Sequence, residues 1–189
     1  MKTLLLNAGC LPVGIIDWRL GVQLVLSGDA SLVASHPTGR VRSQFVDMAV
    51  PAVVRDPMRF DPLGLTANRE NVIARDRFAC LYCGRQPRRP GGRPDMEALT
   101  IDHVVPRAQS EYGYVSAPWR GGALISLNDW ENLATACQPC NHRKADRTPR
   151  EARMRLRSPP VRPGFLDGVR ILFSRVGTVP ATWEPYLAL

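Results

Sequence analysis

Two C-x-x-C pairs constrain this chain more than any other feature: Cys80 with Cys83, and Cys137 with Cys140. Fifty-three residues separate the two pairs. Each pair can form a tight turn that points both sulfurs at one metal ion, and four thiolates suit a tetrahedral zinc site. Gly84, directly after the first pair, is the kind of residue that such a turn uses. A site closed by four cysteines leaves no position for water, so this zinc is expected to be structural, with the chemistry lying between the pairs.

The fifth cysteine and the composition indicate the setting of that site. Cys10 stands between apolar neighbours, which is typical of a small buried side chain. Cysteines arranged in such pairs favour metal binding in a reducing cytosol over disulfides, so a cytoplasmic protein is expected. With 189 residues and 44% hydrophobic content, the chain can build one domain with a sizeable core or two small ones.

The sequence has no segment suited to spanning a membrane. The richest apolar run, Leu20 to Leu26, is interrupted by Gln23 and is much shorter than the roughly 20 residues that a spanning helix requires. The first residues, Met1 to Leu6, imitate a signal peptide, but their apolar core is shorter than the ~7 to 15 residues required, so we expect a buried strand. The formal charge of +8 is what a protein needs to meet phosphates. This charge is nearly all arginine, which suits forked phosphate contacts, although a GC-rich coding bias explains it equally well.

The first 69 residues have the pattern of a small α+β accessory region. Short apolar runs alternate with turn signals such as Ser27-Gly28-Asp29, which is typical of strands. Between the second and third of these runs, the spacing of apolar residues over Trp18 to Leu26 predicts one short helix. Pro57 and Pro62 then bracket a predicted linker.

Residues 70–157 form the expected central domain, and residues 158–189 form an expected tail that packs on the core. The predicted elements of the central domain are, in order, a polar helix over 68–78, an exposed arginine-rich loop over 85–95, a strand over 98–102, an irregular insertion over 107–128, a helix from 138 onward and a second helix over 148–157. The last of these rests on Thr148-Pro149-Arg150-Glu151, which has a cap candidate, a proline at the first helical position and a glutamate at the capping-box position.

Three motifs accompany the cysteine pairs: D-H-V-V-P at 102–106, W-E-N-L at 130–133 and C-N-x-x-K at 140–144, followed by R-T-P-x-E-A at 147–152. In combination with the two C-x-x-C pairs, they make residues 70–157 resemble the HNH endonuclease family. The N-terminal residues, with Leu5-Leu6-Asn7-Ala8 and the Trp18-Arg19 helix, resemble an extra segment found in a bacterial and phage branch of that family.

The resemblance implies a ββα-metal (His-Me finger) core stapled by the four-cysteine zinc site. In that arrangement, the positions of Asp102 and Asn141 hold a divalent metal ion, the position of His103 is the base, and the position of Asn132 braces the loop. Many members have histidine where this chain has Asn141, so this is an H-N-N version. The reaction implied is hydrolysis of DNA that leaves 5′-phosphate and 3′-hydroxyl ends.

The residue chemistry agrees with these roles. Hydrolysis of a phosphodiester requires a base for water and a Lewis acid for the developing charge. An imidazole such as that of His103 titrates near neutrality, and the oxygens of Asp102 and Asn141 suit Mg²⁺ or Mn²⁺. Lys144, three residues after Asn141, could contact phosphate or stabilise negative charge in the transition state. His142 is the alternative ligand. Successive helical residues point about 100° apart, so only one of the two is expected at the site, and we favour Asn141.

Several arginines and tryptophans are further candidates for nucleic-acid contact. Arg150, Arg153 and Arg157 recur on one face of the predicted second helix, where a solvated face explains them equally well. Trp119 and Trp130 could stack on bases, although Trp130 suits a core position better.

The sequence therefore predicts a metal-dependent endodeoxyribonuclease with DNA, expected to be double-stranded, as its partner. The alternative is a zinc-ribbon module that binds DNA without cleaving it, although binding alone needs basic residues rather than a carboxylate beside phosphate. A zinc-stabilised protein-interaction domain is the third hypothesis, and the positive charge argues against it. A homodimer would favour double-strand cuts.

Overall fold

The chain divides into two compact units in the computed structural model, which describes residues 1–58, 65–174, 176 and 178–187. The N-terminal unit comprises residues 1–64 together with 165–189, and the central unit comprises residues 65–164. The strands are β1 (Lys2–Leu6), β2 (Pro12–Asp17), β3 (Ser31–Arg42), β4 (Asp47–Arg55), β5 (Leu99–His103), β6 (Tyr114–Ala117), β7 (Ala123–Ser126) and β8 (Leu133–Cys137). The helices are α1 (Trp18–Ser27), α2 (Arg69–Arg75), α3 (Gln138–Lys144) and α4 (Phe165–Phe173), with 3-10 turns at Arg107–Gln109, Pro118–Arg120 and Ala181–Tyr186.

The N-terminal unit is built on a four-stranded sheet with strand order β2-β1-β4-β3. Its central pair, β1 with β4, is parallel, and the outer pairs are antiparallel. Side chains alternate across β1, so that Leu4 and Leu6 enter one buried cluster while Leu5 enters another. The predicted helix at Trp18 is confirmed as α1, which begins after Asp17 and ends at Gly28 with φ +82°.

The C-terminal residues return to this same sheet. Trp183 is fully buried in the cluster of Leu4 and Leu6, and its indole N–H donates a hydrogen bond to the Ala52 carbonyl at 2.8 Å. Phe173, at the end of α4, meets the Trp183 ring edge-on with the ring centroids 6.0 Å apart. The segment that we expected to be a tail over 158–189 is thus divided, with residues up to 164 in the central unit and the rest in the N-terminal unit.

The central unit contains a ββα arrangement formed by β5, β8 and α3. Strands β5 and β8 are antiparallel, with Asp102 opposite Ala134 and His103 opposite Leu133. Helix α3 begins where β8 ends, so the second cysteine pair lies at this junction. Helix α2 packs on the same strands through Val72 and Ile73. The observed mixture of helices and strands agrees with the predicted α+β class.

A buried arginine ties α2 to the end of the W-E-N-L motif. Arg75 donates hydrogen bonds to the carbonyls of Trp130 and Leu133, each at 2.6 Å, and pairs with Asp76 at 2.8 Å. Trp130 is 3% exposed and packs with Val72, as expected for a core position.

Two predicted segments of the central unit take a different form. The insertion over 107–128 was expected to be irregular, but it contains a hairpin of β6 and β7, with Gly121 and Gly122 both at positive φ in the connecting loop. The hairpin forms because Val115 and Ile125 alternate with exposed neighbours and bury against Val105.

The prediction of a helix over 148–157 was wrong. The Thr148 amide donates to the Glu151 carboxylate at 2.6 Å and the Glu151 amide donates to the Thr148 hydroxyl at 3.3 Å, as a capping box requires, but the segment continues as turns. Arg153 adopts φ +52°, which interrupts a right-handed helix. The Arg157 amide bonds the Leu81 carbonyl instead, at 2.8 Å.

The position of Cys10 differs from the expectation, whereas the length of the helices bears on membrane spanning. Cys10 was expected to be buried, but it is exposed in a turn with φ +60° that follows β1. No helix within the described part of the chain is long and apolar enough to cross a membrane.

Candidate metal centre and active-site cleft

The four cysteines of the two C-x-x-C pairs form one cluster. Their sulfur atoms all lie within 4.8 Å of one another, and the Sγ atoms of Cys83 and Cys137 are 3.7 Å apart. Zinc–sulfur bonds of about 2.3 Å in a tetrahedron place the sulfurs about 3.8 Å apart, so the cluster fits a zinc ion. The prediction of a four-cysteine cluster compatible with structural zinc is confirmed.

The first pair is held by a tight knuckle. The Gly84 amide donates to the Cys80 carbonyl at 2.8 Å, and the Cys80 amide donates to the Arg85 carbonyl at 2.9 Å. Gly84 has φ +80°, a conformation that side-chain-bearing residues rarely adopt. A Cβ atom there would also lie 3.0 Å from the Arg157 guanidinium. The backbone of the turn therefore favours glycine, and any larger residue would also have to displace the Arg157 side chain.

The thiols differ in their acidity in the absence of metal. Burial raises the pKa of Cys137 and Cys140. Burial acts in the same direction on Cys83, but hydrogen bonding to the Arg85 backbone and to the neighbouring cysteines leaves the pKa of Cys83 below its ordinary value. Zinc binds thiolates, so loading the cluster must release the protons that Cys137 and Cys140 hold at their raised pKa values.

A cleft beside β5 and α3 brings three predicted site residues together. Asp102, His103 and Asn141 line a cavity of about 400 Å³ that also includes Pro106 and Asp146. Asp102 and His103 are the last residues of β5, and Asn141 lies in α3. They meet because β5 pairs with β8 and α3 follows β8 directly. His142 is exposed and is not among the residues that line this cavity.

Asp102 is buried and hydrogen-bonded on both oxygens. Its Oδ1 accepts from Lys144 Nζ at 2.9 Å, and its Oδ2 accepts a short hydrogen bond from the Tyr82 hydroxyl. Burial raises the pKa of Asp102, although the bonds from Tyr82 and Lys144 oppose this effect. Burial and the neighbouring Asp102 charge raise the pKa of Tyr82 well above its ordinary range, so Tyr82 stays a donor.

Lys144 does not lie where we expected it. Its side chain is fully buried, and Nζ also donates to the His103 carbonyl at 2.6 Å. The expected contact with phosphate requires an exposed amine, which this position does not provide. The ammonium instead joins the Asp102 side chain to the backbone of His103.

Asn132 holds the loop that follows His103. It is fully buried, its Oδ1 accepts from the Val105 amide at 2.8 Å, and its Nδ2 donates to the carbonyls of Val105 and Leu127 at 3.2 and 2.8 Å. These three bonds connect the end of β5 to the segment before Asn132. The geometry is that of a brace between two backbone segments.

His103 has a partner that the sequence did not indicate. Its Nε2 lies 3.0 Å from Asn128 Oδ1, and the ring is half-buried at the cleft. Tyr82, Asn128 and Asp146 are the residues at this site that sequence reasoning missed. Tyr82 stands inside the first C-x-x-C pair and Asp146 two places after the C-N-x-x-K motif, so proximity to a motif was the available signal for both. Asn128 stands two places before the W-E-N-L motif, so the same signal was available for it.

Strands β5 and β8, helix α3, the four-cysteine cluster and this cleft together define a ββα domain with a possible zinc site. The chain contains an HNH endonuclease domain, since residues 80–147 match the family model described as HNH endonuclease. Residues 3–55 match a second model, described as the HNH endonuclease-associated N-terminal domain. No curated protein and no solved structure matches the chain.

Proposed function

We propose that the protein is a metal-dependent endonuclease that hydrolyses DNA phosphodiester bonds with His103 as the base. The observation that carries the proposal is the convergence of Asp102, His103 and Asn141 on one cleft. A base and two oxygen ligands within one cavity are what hydrolysis of a phosphodiester requires. The family match supports a nuclease, and the charge of +8 supports a polyanionic substrate.

The cleft fits Mg²⁺ or Mn²⁺ through its donor atoms. A carboxylate has about four lone-pair positions, so the two hydrogen bonds to Asp102 leave acceptor capacity for a metal ion. The Asn141 carboxamide has no hydrogen-bond partner within the described residues, and its oxygen is a second hard ligand. A divalent ion held by these two residues would supply Lewis-acid stabilisation of the charge that develops on phosphate.

The surroundings of His103 support its role as the base. When Asn128 Oδ1 accepts a hydrogen bond from the Nε2–H of His103, the other ring nitrogen, Nδ1, is left unprotonated. Nδ1 can then take a proton from a water molecule that attacks phosphorus. Asn132 keeps the strand end in place through its three bonds to neighbouring backbone.

Tyr82 and Lys144 act as positioning residues in this proposal. Both donate to Asp102, and Lys144 also bonds the backbone of His103. The base and the carboxylate are therefore connected through one buried ammonium. This arrangement fixes their separation before substrate binds.

The test is nicking of supercoiled plasmid by the wild type and by His103→Ala, with Mg²⁺, with Mn²⁺ and with no added divalent metal, at low salt. We expect metal-dependent nicking in the wild type and its loss in the variant, with zinc content and DNA affinity nearly unchanged. His142→Ala is the matched control, because His142 is exposed and does not line the cleft. Nicking that survives in His103→Ala but disappears in His142→Ala would overturn the assignment of the base.

The alternative function is DNA binding without cleavage by the zinc-stabilised module. Salt-sensitive DNA binding by a wild-type protein that never nicks, in either metal, would favour it. The buried Asp102 carboxylate argues for cleavage, because a site that only binds phosphate gains nothing from a negative charge at that point.

A further inference from the structure

A second groove of the central unit lies next to the cleft and shares none of its lining residues. It has a volume of about 690 Å³, and its walls are largely apolar. The residues that line it include Val104, Val105, Trp119, Pro149, Arg150 and Leu156. Trp119 keeps 40% of its surface exposed there.

The groove is lined by residues that directly follow His103 in the sequence. Val104 and Val105 directly follow His103 at the end of β5. Val105 also packs against Val115 and Ile125 of the β6–β7 hairpin, whose loop carries Trp119. Gln109, next to Ala108 of the cleft lining, donates a hydrogen bond to Glu151 of the groove at 3.1 Å. The two sites therefore adjoin, and a substrate phosphate at His103 leaves the neighbouring nucleotide close to this groove.

The charges around the groove separate a base-binding part from a phosphate-binding part. Arg150 lines the groove, and Arg150, Arg153 and Arg155 line the adjoining depression. Within the described residues none of these three arginines has an ion-pair partner. Glu151 lies in the groove itself, where its Oε2 accepts bonds from Thr148 and Gln109. A carboxylate repels phosphate, so the groove suits an uncharged ring and the arginines suit the sugar–phosphate chain.

We infer that this groove receives one unstacked nucleobase of the DNA, stacked on Trp119, beside the phosphate that is cleaved. The inference rests on the proposed function, since it takes DNA as the substrate. Indole rings stack on bases without strict sequence preference, and arginines hold the adjacent backbone. A nucleotide that already lacks a pairing partner enters at the lowest cost, so the protein should prefer DNA with an unpaired nucleotide to perfect duplex.

The test measures binding to three DNA duplexes by the full chain carrying His103→Ala, loaded with zinc and in Mg²⁺. One duplex has a single bulged nucleotide, the second has an abasic site at that bulge, and the third is perfectly paired. We expect the bulged base to improve affinity by about tenfold over the abasic bulge. Adding Trp119→Ala should abolish this difference, and Trp119→Phe should retain most of it.

Two further variants serve as controls in the same background. Tyr112→Ala removes a fully exposed aromatic side chain that precedes β6 and does not line the groove. The higher affinity for the bulged duplex than for the abasic one should therefore persist. Arg150→Ala should weaken binding to all three duplexes and lower the slope of affinity against salt by about one. Circular dichroism and zinc content report whether each variant is folded.

The two proposals fail in different ways. The inference is overturned if the His103→Ala protein binds the bulged and abasic duplexes with equal affinity. It is also overturned if Trp119→Ala reduces binding to these two duplexes equally. Plasmid nicking by the wild type in that case would leave the proposed function intact. Conversely, base-dependent binding that requires Trp119, in a protein that never nicks, would support the groove and overturn only the cleavage.

Discussion

Lys144 shows how one contact decides the role of a charged side chain. A lysine in the last turn of a short helix would normally reach solvent, and we expected it to meet phosphate. Its Nζ is instead buried between Asp102 Oδ1 and the His103 carbonyl, at 2.9 and 2.6 Å. A buried carboxylate without a counter-charge is strongly destabilising, so the pair must be treated together.

Replacing Lys144 by methionine should lower the free energy of unfolding by about 3 to 5 kcal/mol, because Asp102 is left buried and unpaired. Urea denaturation measures the loss. Arg143→Met, an exposed neighbour on α3, is the control and should change stability by less than about 0.5 kcal/mol. Restoring stability with Asp102→Asn in the Lys144→Met background would support the pairing, and a small loss in the single variant would contradict it.

The loss of stability in Lys144→Met should depend on pH. Burial already raises the pKa of Asp102, and removal of the Lys144 charge raises it further. A carboxyl with a raised folded-state pKa favours the folded protein at low pH, and this contribution is lost as pH rises through that pKa. The destabilisation of Lys144→Met should therefore be largest at neutral pH and should shrink on acidification, as measured by urea midpoints across pH.

Asn128 is the second residue whose role depends on a single contact. Replacement of Asn128 by alanine removes the acceptor 3.0 Å from His103 Nε2 and should lower kcat by about ten- to a hundredfold, as loss of an orienting partner commonly does. Single-turnover nicking measures this effect. Ser126→Ala, an exposed position in β7, is the control and should retain full activity. Unchanged kcat in Asn128→Ala would mean that His103 is oriented by other contacts.

At the scale of elements, the four-cysteine cluster joins two parts of the chain that are far apart in sequence. The first pair follows α2, whereas the second spans the junction of β8 and α3. The knuckle is short, and among the described residues only two backbone bonds tie it to distant segments, from the Leu81 amide to the Thr135 carbonyl and from the Arg157 amide to the Leu81 carbonyl, each at 2.8 Å. A zinc ion held by the four cysteines would add a direct link between these two parts and so contribute to the folding of this unit.

Cys80→Ser should reduce zinc content to below one ion per chain and unfold the central unit, because three remaining thiolates leave the site open. Zinc is measured by atomic absorption and folding by thermal denaturation. Cys10→Ser is the matched control, since Cys10 is exposed in the N-terminal unit and lies outside the cluster. Equal thermal stability of the two variants would contradict a structural role for the metal.

The elements were predicted unevenly, and the reason differs in each case. Helix α1 follows from its apolar spacing and its caps, which are local signals. The β6–β7 hairpin was missed because its alternation is only four residues long on each strand and Trp119 and the two glycines obscure it. The capping box at Thr148 did form, but Arg153 turned the chain before a helix could extend.

On the scale of the whole molecule, each unit has its own buried clusters. In the central unit, Val72, Trp130 and Leu133 form one cluster, and Ile73 and Leu99 belong to another. In the N-terminal unit, Trp183 completes the cluster on Leu4 and Leu6. A unit with its own core and its own metal site meets the requirements for independent folding.

Residues 65–164 produced alone should therefore fold when zinc is present and unfold when a chelator removes it. Circular dichroism with a zinc titration measures this behaviour, and the same fragment with Cys80→Ser should remain unfolded at all zinc concentrations. A fragment that stays unfolded even with zinc would mean that the central unit depends on residues outside 65–164.

The four-cysteine cluster and the residues that line the cleft could be predicted from short stretches of sequence. Four cysteines in two pairs, and the motifs around Asp102, His103, Asn132 and Asn141, carry their chemistry in residue type and short spacing, which are local properties. Tertiary structure alone decided that Lys144 is buried, that Asn128 faces His103, that Trp119 borders a groove and that Trp183 covers the N-terminal sheet. Each of these depends on which distant segments pack together, and burial and long-range contacts are set by the whole fold rather than by neighbours along the chain.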